Sequence, residues 1–150
     1  MNVHITRASE ADGPSLLQLL RDSGLPIDGL VDHLKTALVA RDGAAIVGCA
    51  AVEIYADGAL LRSVAVVPAA RGHGVGERLT ETAVSLARSL RTPAVYLLTT
   101  TAESYFPRFG FVRTTRDLVP AGVQQSTEFR SACPASAIVM RNALNESEES

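Results

Sequence analysis

Arg71-Gly72-His73-Gly74-Val75-Gly76 stands between an apolar run, residues 60–68, and a long amphipathic segment, residues 75–90. That order reads as a strand, a tight glycine-rich turn and a helix. The first amides of a helix have no partner within it. The three glycines let a bulky anion approach the backbone. The helix N-terminus adds about half a positive charge, and Arg71 places a formal charge beside it. The stretch therefore points to a ligand that carries phosphate.

Two familiar phosphate motifs do not fit. A P-loop requires Gly-Lys-Ser/Thr after its glycines, whereas this chain has Gly76-Glu77-Arg78. A dinucleotide fingerprint requires a further Gly or Ala where Glu77 or Arg78-Leu79 stand, and it belongs early in a βαβ unit. What remains is Arg-x-x-Gly-x-Gly, matched by Arg71, Gly74 and Gly76. The alternative is a turn that is merely tight.

Upstream of the turn, residues 4–9 read as a short strand. A helix follows, capped by Ser9 or Asp12, with Leu16, Leu17, Leu19 and Leu20 on its apolar face and Gly24 at its end. A short helical region spans residues 28–34. Residues 36–41 and 45–55 read as a hairpin around Asp42-Gly43, and Ala56-Asp57-Gly58 turns the chain into the 60–68 strand. Downstream, Val75, Leu79, Ala83, Leu86 and Leu90 form one buried helical face. Thr92-Pro93 breaks that helix. Residues 95–99 are nearly all apolar, as in a strand covered on both faces, and one helix separates them from the 60–68 strand, so the two strands are expected to be parallel. Residues 102–108 read as a short helix, 109–112 as the entry to another strand, 120–125 as loop and 136–140 as a last strand.

The chain has 150 residues, 47% of them hydrophobic and 20% charged, which suits one folded domain. Residues 1–144 read as that domain, and the polar, acidic residues 145–150 as a disordered tail. The net charge of −2 argues against nucleic acid as the main partner. No apolar run reaches the length of a membrane span and no secretory signal is visible, so a cytoplasmic location is expected. Cys49 and Cys133 make neither a disulfide framework nor a zinc site, and no metal is expected. Ser15, Ser85 and Asp117 form no nucleophile constellation, and the absence of a Gly-x-Ser-x-Gly elbow disfavours a hydrolase.

Val64-Ala65-Val66-Val67-Pro68 followed by Arg71 to Gly76 resembles the acetyl-CoA signature of the GNAT acyltransferase superfamily. Ala102 and Phe109-Gly110-Phe111 extend the likeness, and the element order matches over residues 3–140. The resemblance implies an α/β (α+β) fold: a mixed, splayed sheet of six or seven strands flanked by helices on both faces. It implies acetyl-CoA as cosubstrate and a small-molecule amine as acceptor. The pantetheine arm would meet the strand at Val64, Ala65 and Val66. The pyrophosphate would lie on Arg71, Gly72, His73, Gly74, Val75 and Gly76. A closer likeness, to the arsenic-resistance-associated N-acetyltransferases, rests on Leu60-Leu61-Arg62-Ser63, residues 97–103, Thr127-Glu128-Phe129 and Cys133-Pro134-x-Ser136-Ala137. It implies amino-acid acceptors, including glutamate-like arsenical or phosphinic analogues. Many members are homodimers, but no segment here demands it.

Two positions depart from the pattern. Many members place a Tyr, the general acid toward the leaving thiolate, four residues before the Gly of the Gly-Phe turn. Here Phe106 stands there and Tyr105 beside it. Neighbours on a helix point about 100° apart, so Tyr105 as acid and both aromatics as core are open readings, with Phe106 against the cofactor. Where many members carry an Asn that contacts CoA, this chain has Thr99.

Some members also carry a Glu base where Leu60 stands. An amine of pKa about 10.4 needs about 4–5 kcal/mol for deprotonation at pH 7, and an α-amine of pKa about 8 only about 1–1.5 kcal/mol. A missing strong base therefore fits an α-amine acceptor. Glu53 and Glu128 are the candidate bases, against the alternative of solvated or salt-bridged carboxylates.

Arg62 lies inside an apolar strand, where a lone charge is costly. Buried, it would need Glu53 or a bound carboxylate as partner, and guanidinium suits a planar two-oxygen group; the alternative is an arginine on a solvated face of the sheet. With Ser63 and Thr100 it makes the candidate acceptor site. Two other functions stay open: an acyl-CoA sensor without turnover, which Phe106 and the missing Glu allow, and capture of arsenic by the thiols.

Overall fold

A computed structural model describes residues 2–132 and 135–144. Cys133, Pro134 and the 145–150 tail lie outside the described residues. Seven strands form one sheet: β1 (Val3–Arg7), β2 (Ala37–Asp42), β3 (Ala45–Tyr55), β4 (Gly58–Val66), β5 (Ala94–Thr99), β6 (Val112–Thr114) and β7 (Ile138–Ala143). Their order across the sheet is β1-β2-β3-β4-β5-β7-β6. β1 to β4 are antiparallel neighbours, and β2 turns into β3 at the Asp42-Gly43 hairpin. The crossover helix α2 (Val75–Ser89) delivers β5 parallel to β4, as its place in the chain predicts.

Alternation along each strand divides two cores. Leu38, Ala40, Val52, Leu61 and Leu97 face α2, whose Val75, Leu79 and Ala83 are buried against them. Val39, Cys49, Ala51 and Ala65 face α1 (Gly13–Asp22) through Leu16, Leu19 and Leu20. β5 is buried on both sides. Tyr96 meets Val119, Val123 and Val139 on one face, and Val95 and Leu97 join the α2 core on the other.

α2 crosses close to β3 at Gly48. A Cβ there would lie 2.9 Å from the Leu79 Cδ1 and 3.0 Å from the Ala65 carbonyl oxygen. Gly48→Ala is therefore expected to cost about 1–3 kcal/mol, read as a lower urea midpoint at unchanged m-value.

Two local expectations fail, each for a nameable reason. Residues 102–108 do not form a continuous helix. The chain makes i→i+3 turns, with the Tyr105 N–H on the Ala102 carbonyl at 3.0 Å and a 3₁₀ turn over Phe106–Phe109. Pro107 has no N–H to give, and its ring excludes the carbonyl four residues back. Residues 120–125 are not simply loop: they hold α3 (Ala121–Gln124), started by the Gly122 N–H on the Asp57 carboxylate at 2.8 Å and anchored by fully buried Val123. Those contacts come from another part of the chain. The 28–34 region forms 3₁₀ turns over Leu30–Thr36, kinked at His33, whose φ of −123° is not helical.

Candidate active site

β4 and β5 pair only at Ala59–Val95 and Leu60–Tyr96, after which they part. A bulge at the same level bends β4. Between the Ala51–Arg62 and Cys49–Ala65 pairs, β4 carries an extra residue, and Ser63 takes φ of 61°. A non-glycine residue in that region costs about 1–2 kcal/mol. Local bonds hold it: the Arg62 Nε donates to Ser63 Oγ at 3.0 Å, and the Cys49 thiol to the Ser63 carbonyl at 3.2 Å. The parted strands border a cavity of about 390 Å³ whose lining includes Arg62, Ser63, Val64, Thr99, Phe106 and Glu128. The Val67 N–H bonds across to the Val47 carbonyl on β3 at 2.9 Å, so by alternation the Val66 backbone groups face the open edge.

At the end of β4 the chain passes through a 3₁₀ turn, Pro68–Ala70, into the glycine-rich turn. Gly72 and Gly74 adopt φ of 85° and 75°, and Gly74 is the N-cap of α2. Having no side chain, Gly74 leaves the first-turn amides of α2 without a side-chain cap. Val66, Arg71, Gly72, Gly74, Gly76 and Tyr105 are among the residues around a second cavity, of about 360 Å³. Arg71 is held there by its Nε on the Val66 carbonyl at 3.1 Å. His73 is exposed and outside that lining.

The two aromatics part company. Phe106 lines the β4/β5 cavity. The Tyr105 ring packs edge-on against Phe106 and Phe109, at 5.2 and 5.3 Å, and its hydroxyl lies beside Gly76 of the glycine-rich turn. Burial raises the Tyr105 hydroxyl pKa, against a lowering contribution from its bond with Thr80. Thr99 borders the β4/β5 cavity while its Oγ1 accepts the Ala102 N–H at 2.9 Å; Thr100 borders it too.

Arg62 is completely buried and has Glu53 as its expected partner, and more besides. Its Nη1 donates to the Glu53 Oε2 at 2.9 Å and to the Asp28 carbonyl at 2.6 Å. Its Nη2 donates to the Pro26 carbonyl at 3.1 Å, and its Nε lies 3.3 Å from the Glu128 Oε2. The other Glu53 oxygen accepts the Tyr55 hydroxyl and lies 3.4 Å from the His33 Nε2. Burial and then this carboxylate push the Tyr55 pKa up.

The two candidate bases are thereby separated. Glu128 lines the cavity, whereas Glu53 sits behind Arg62 and does not. Sequence reading missed the Pro26 and Asp28 carbonyls and the flank formed by His33 and Tyr55. Backbone acceptors leave no mark in a sequence; the only signal was that a buried guanidinium needs more acceptors than one glutamate provides.

Burial pushes the Cys49 thiol pKa up to about 12. The native protein is therefore expected to leave Cys49 unmodified by iodoacetamide at pH 8, where the nucleophilic thiolate is scarce. Peptide mass spectrometry should find it alkylated only after denaturation. Among the described residues no cluster has the makings of a metal site, and no helix is long and apolar enough to cross a membrane.

Residues 33–113 match the acetyltransferase (GNAT) domain family. An amino-acid acetyltransferase of Mycobacterium tuberculosis is 37% identical over 79 residues, covering 52% of this chain and 45% of that protein. An amino-acid acetyltransferase of Neisseria meningitidis is 26% identical over 148 residues, covering 93% of this chain and 34% of that one. The chain thus spans less than half the length of these curated relatives. Among solved structures, N-acetylglutamate synthase from Neisseria gonorrhoeae, complexed with coenzyme A and N-acetyl-glutamate, superposes with a TM-score of 0.81 at 23% identity, over 96% of this chain and 35% of that one. Rv2747 from Mycobacterium tuberculosis, in complex with CoA and NLQ, superposes with a TM-score of 0.80 at 25% identity, over 94% and 99%. A glycine-rich turn at the end of a bulged, splayed strand, on this sheet order and with this family match, has one conclusion: the chain belongs to the GNAT acetyltransferase family.

Proposed function

We propose that this protein transfers an acetyl group from acetyl-CoA to the amine of a small molecule, an amino acid being the best-supported class. One observation carries the reading: β4 and β5 separate after two residue pairs, and the glycine-rich turn stands at the end of the separated strand. The residues present fit the donor. The turn offers first-turn amides and left-handed glycines to a pyrophosphate, and the open edge of β4 offers backbone bonds to an extended arm.

Bound acetyl-CoA supplies the thioester carbonyl that the amine attacks. The Val66 N–H, on the open edge of β4, is the donor placed to meet charge on that carbonyl oxygen. Glu128 borders the cavity and is the carboxylate placed to hold the ammonium and accept its proton. Arg62 holds Glu128 in place and fastens the 26–28 segment. The guanidinium that the sequence offered for a substrate carboxylate is thus largely committed to the protein. Tyr105 lies on the phosphate side, so its contribution is to donor binding.

The likeness to amino-acid acetyltransferases supports amino-acid acceptors. The likeness of residues 60–63, 97–103 and 127–129 to arsenic-resistance-associated enzymes supports glutamate-like arsenical or phosphinic analogues within that class. A panel of amino acids and these analogues, with release of free CoA thiol as readout, tests the proposal. Amine-dependent thiol release supports it. Tight CoA binding with no release across the panel would replace it with an acyl-CoA sensor, the role that Phe106, lacking a hydroxyl, leaves open.

A further inference from the structure

The phosphate turn contains a charge of the wrong sign. Glu77 lies in the first turn of α2 and borders the turn cavity, with its side chain 53% exposed. A carboxylate there favours the helix, because it meets the positive end of the macrodipole. It disfavours an anionic ligand on the same amides. Helix stability and ligand binding therefore pull in opposite directions at this residue.

Arg108 is built against it. Its Nη1 lies 3.6 Å from the Glu77 Oε1. The side chain is 51% exposed, but two contacts orient it: its Nε donates to the Tyr105 carbonyl at 2.8 Å, and its Cζ lies over the Tyr105 ring, 4.5 Å from the centroid. Tyr105 is itself wedged between Phe106 and Phe109 and borders the same cavity. The 3₁₀ turn that Pro107 imposes thus delivers a cation to the rim of the phosphate turn, and an aromatic platform keeps it there.

We infer that Arg108 is a positioning residue for donor binding: it neutralises Glu77 and so keeps the glycine-rich turn receptive to the phosphates of CoA. The inference rests on the donor reading above. An unmasked carboxylate a few ångströms from a doubly charged pyrophosphate at the protein surface weakens binding about tenfold, and salt screens the effect.

Calorimetric titration of CoA into four proteins tests this: wild type, Arg108→Ala, Glu77→Gln and the double variant, each at low and high ionic strength. Arg108→Ala is expected to raise Kd about tenfold at low salt and much less at high salt. The double variant is expected to return close to wild type, since the charge that Arg108 masked is gone. Arg108→Lys, which keeps the charge, is expected to hold most of the affinity. A double variant as weak as Arg108→Ala would mean that Arg108 reaches the phosphate itself, and would overturn the masking role. An unchanged Kd in Arg108→Ala overturns it as well. Failure of the wild type to bind CoA would overturn the donor reading, and this inference with it.

Discussion

Glu128→Gln is expected to lower the rate of amine-dependent thiol release about 10²–10⁴-fold at saturating acceptor, the usual range for losing a positioned proton acceptor. CoA affinity should change far less than the rate, because Glu128 stands away from the glycine-rich turn that would hold the pyrophosphate. The substitution keeps the size of the side chain, and the amide oxygen still accepts from the Arg62 Nε, now 3.3 Å from the carboxylate. Folding should therefore survive, which a circular dichroism melt would check. Glu53→Gln provides the contrast. That side chain lies behind Arg62, 1% exposed, and its loss should show in stability before it shows in rate. Equal loss of rate in the two variants would remove Glu128 from its special place. Full activity in Glu128→Gln would leave the proton to water or a backbone carbonyl, which an α-amine acceptor tolerates.

Arg62→Ala is expected to cost about 3–5 kcal/mol of stability, the penalty for removing one partner from a buried ionic cluster. The guanidinium is fully buried and faces two carboxylates, and the Pro26 and Asp28 carbonyls lose their donors with it. Urea denaturation would read the loss as a lower midpoint. A second variant separates charge from packing. Arg62→Met combined with Glu53→Gln and Glu128→Gln removes the uncompensated charges while filling the space, and should recover much of the stability lost in Arg62→Met alone. No recovery would mean that the cluster acts through shape. An Arg62→Ala protein as stable as wild type would contradict the cluster altogether.

These two predictions mark the boundary of what could be read before the fold was known. Arg62 is visible in the sequence as a charge in an apolar strand, but whether Glu53, a bound carboxylate or solvent meets it is not. No local pattern decides between Glu53 and Glu128, because one lies in an apolar strand and the other in a polar stretch, with no spacing to rank them. The choice depends on which side of the guanidinium each one stands. Tyr105 and Phe106 posed the same difficulty. Adjacent residues diverge on a helix, but Pro107 replaced the helix with 3₁₀ turns, and the outcome was one ring toward the β4/β5 cavity and one toward the glycine-rich turn. α3 was hidden because the carboxylate that accepts its Gly122 amide, Asp57, is distant in sequence.

Local sequence information was enough for the order of the strands, for α1 and α2, for the glycine-rich turn and for the parallel step from β4 to β5. These rest on local information: a period of two or of 3.6, turn residues at fixed offsets, and a helix of crossover length between two apolar runs. The bend of β4 at Ser63, the point where the strands part, and the acidic side chain that borders the opening all came from long-range packing. It also set Arg108 against Glu77. Each of these is a balance between charges or backbone groups far apart in the chain, and their sign and strength are set by distances that exist only once the sheet has closed around them.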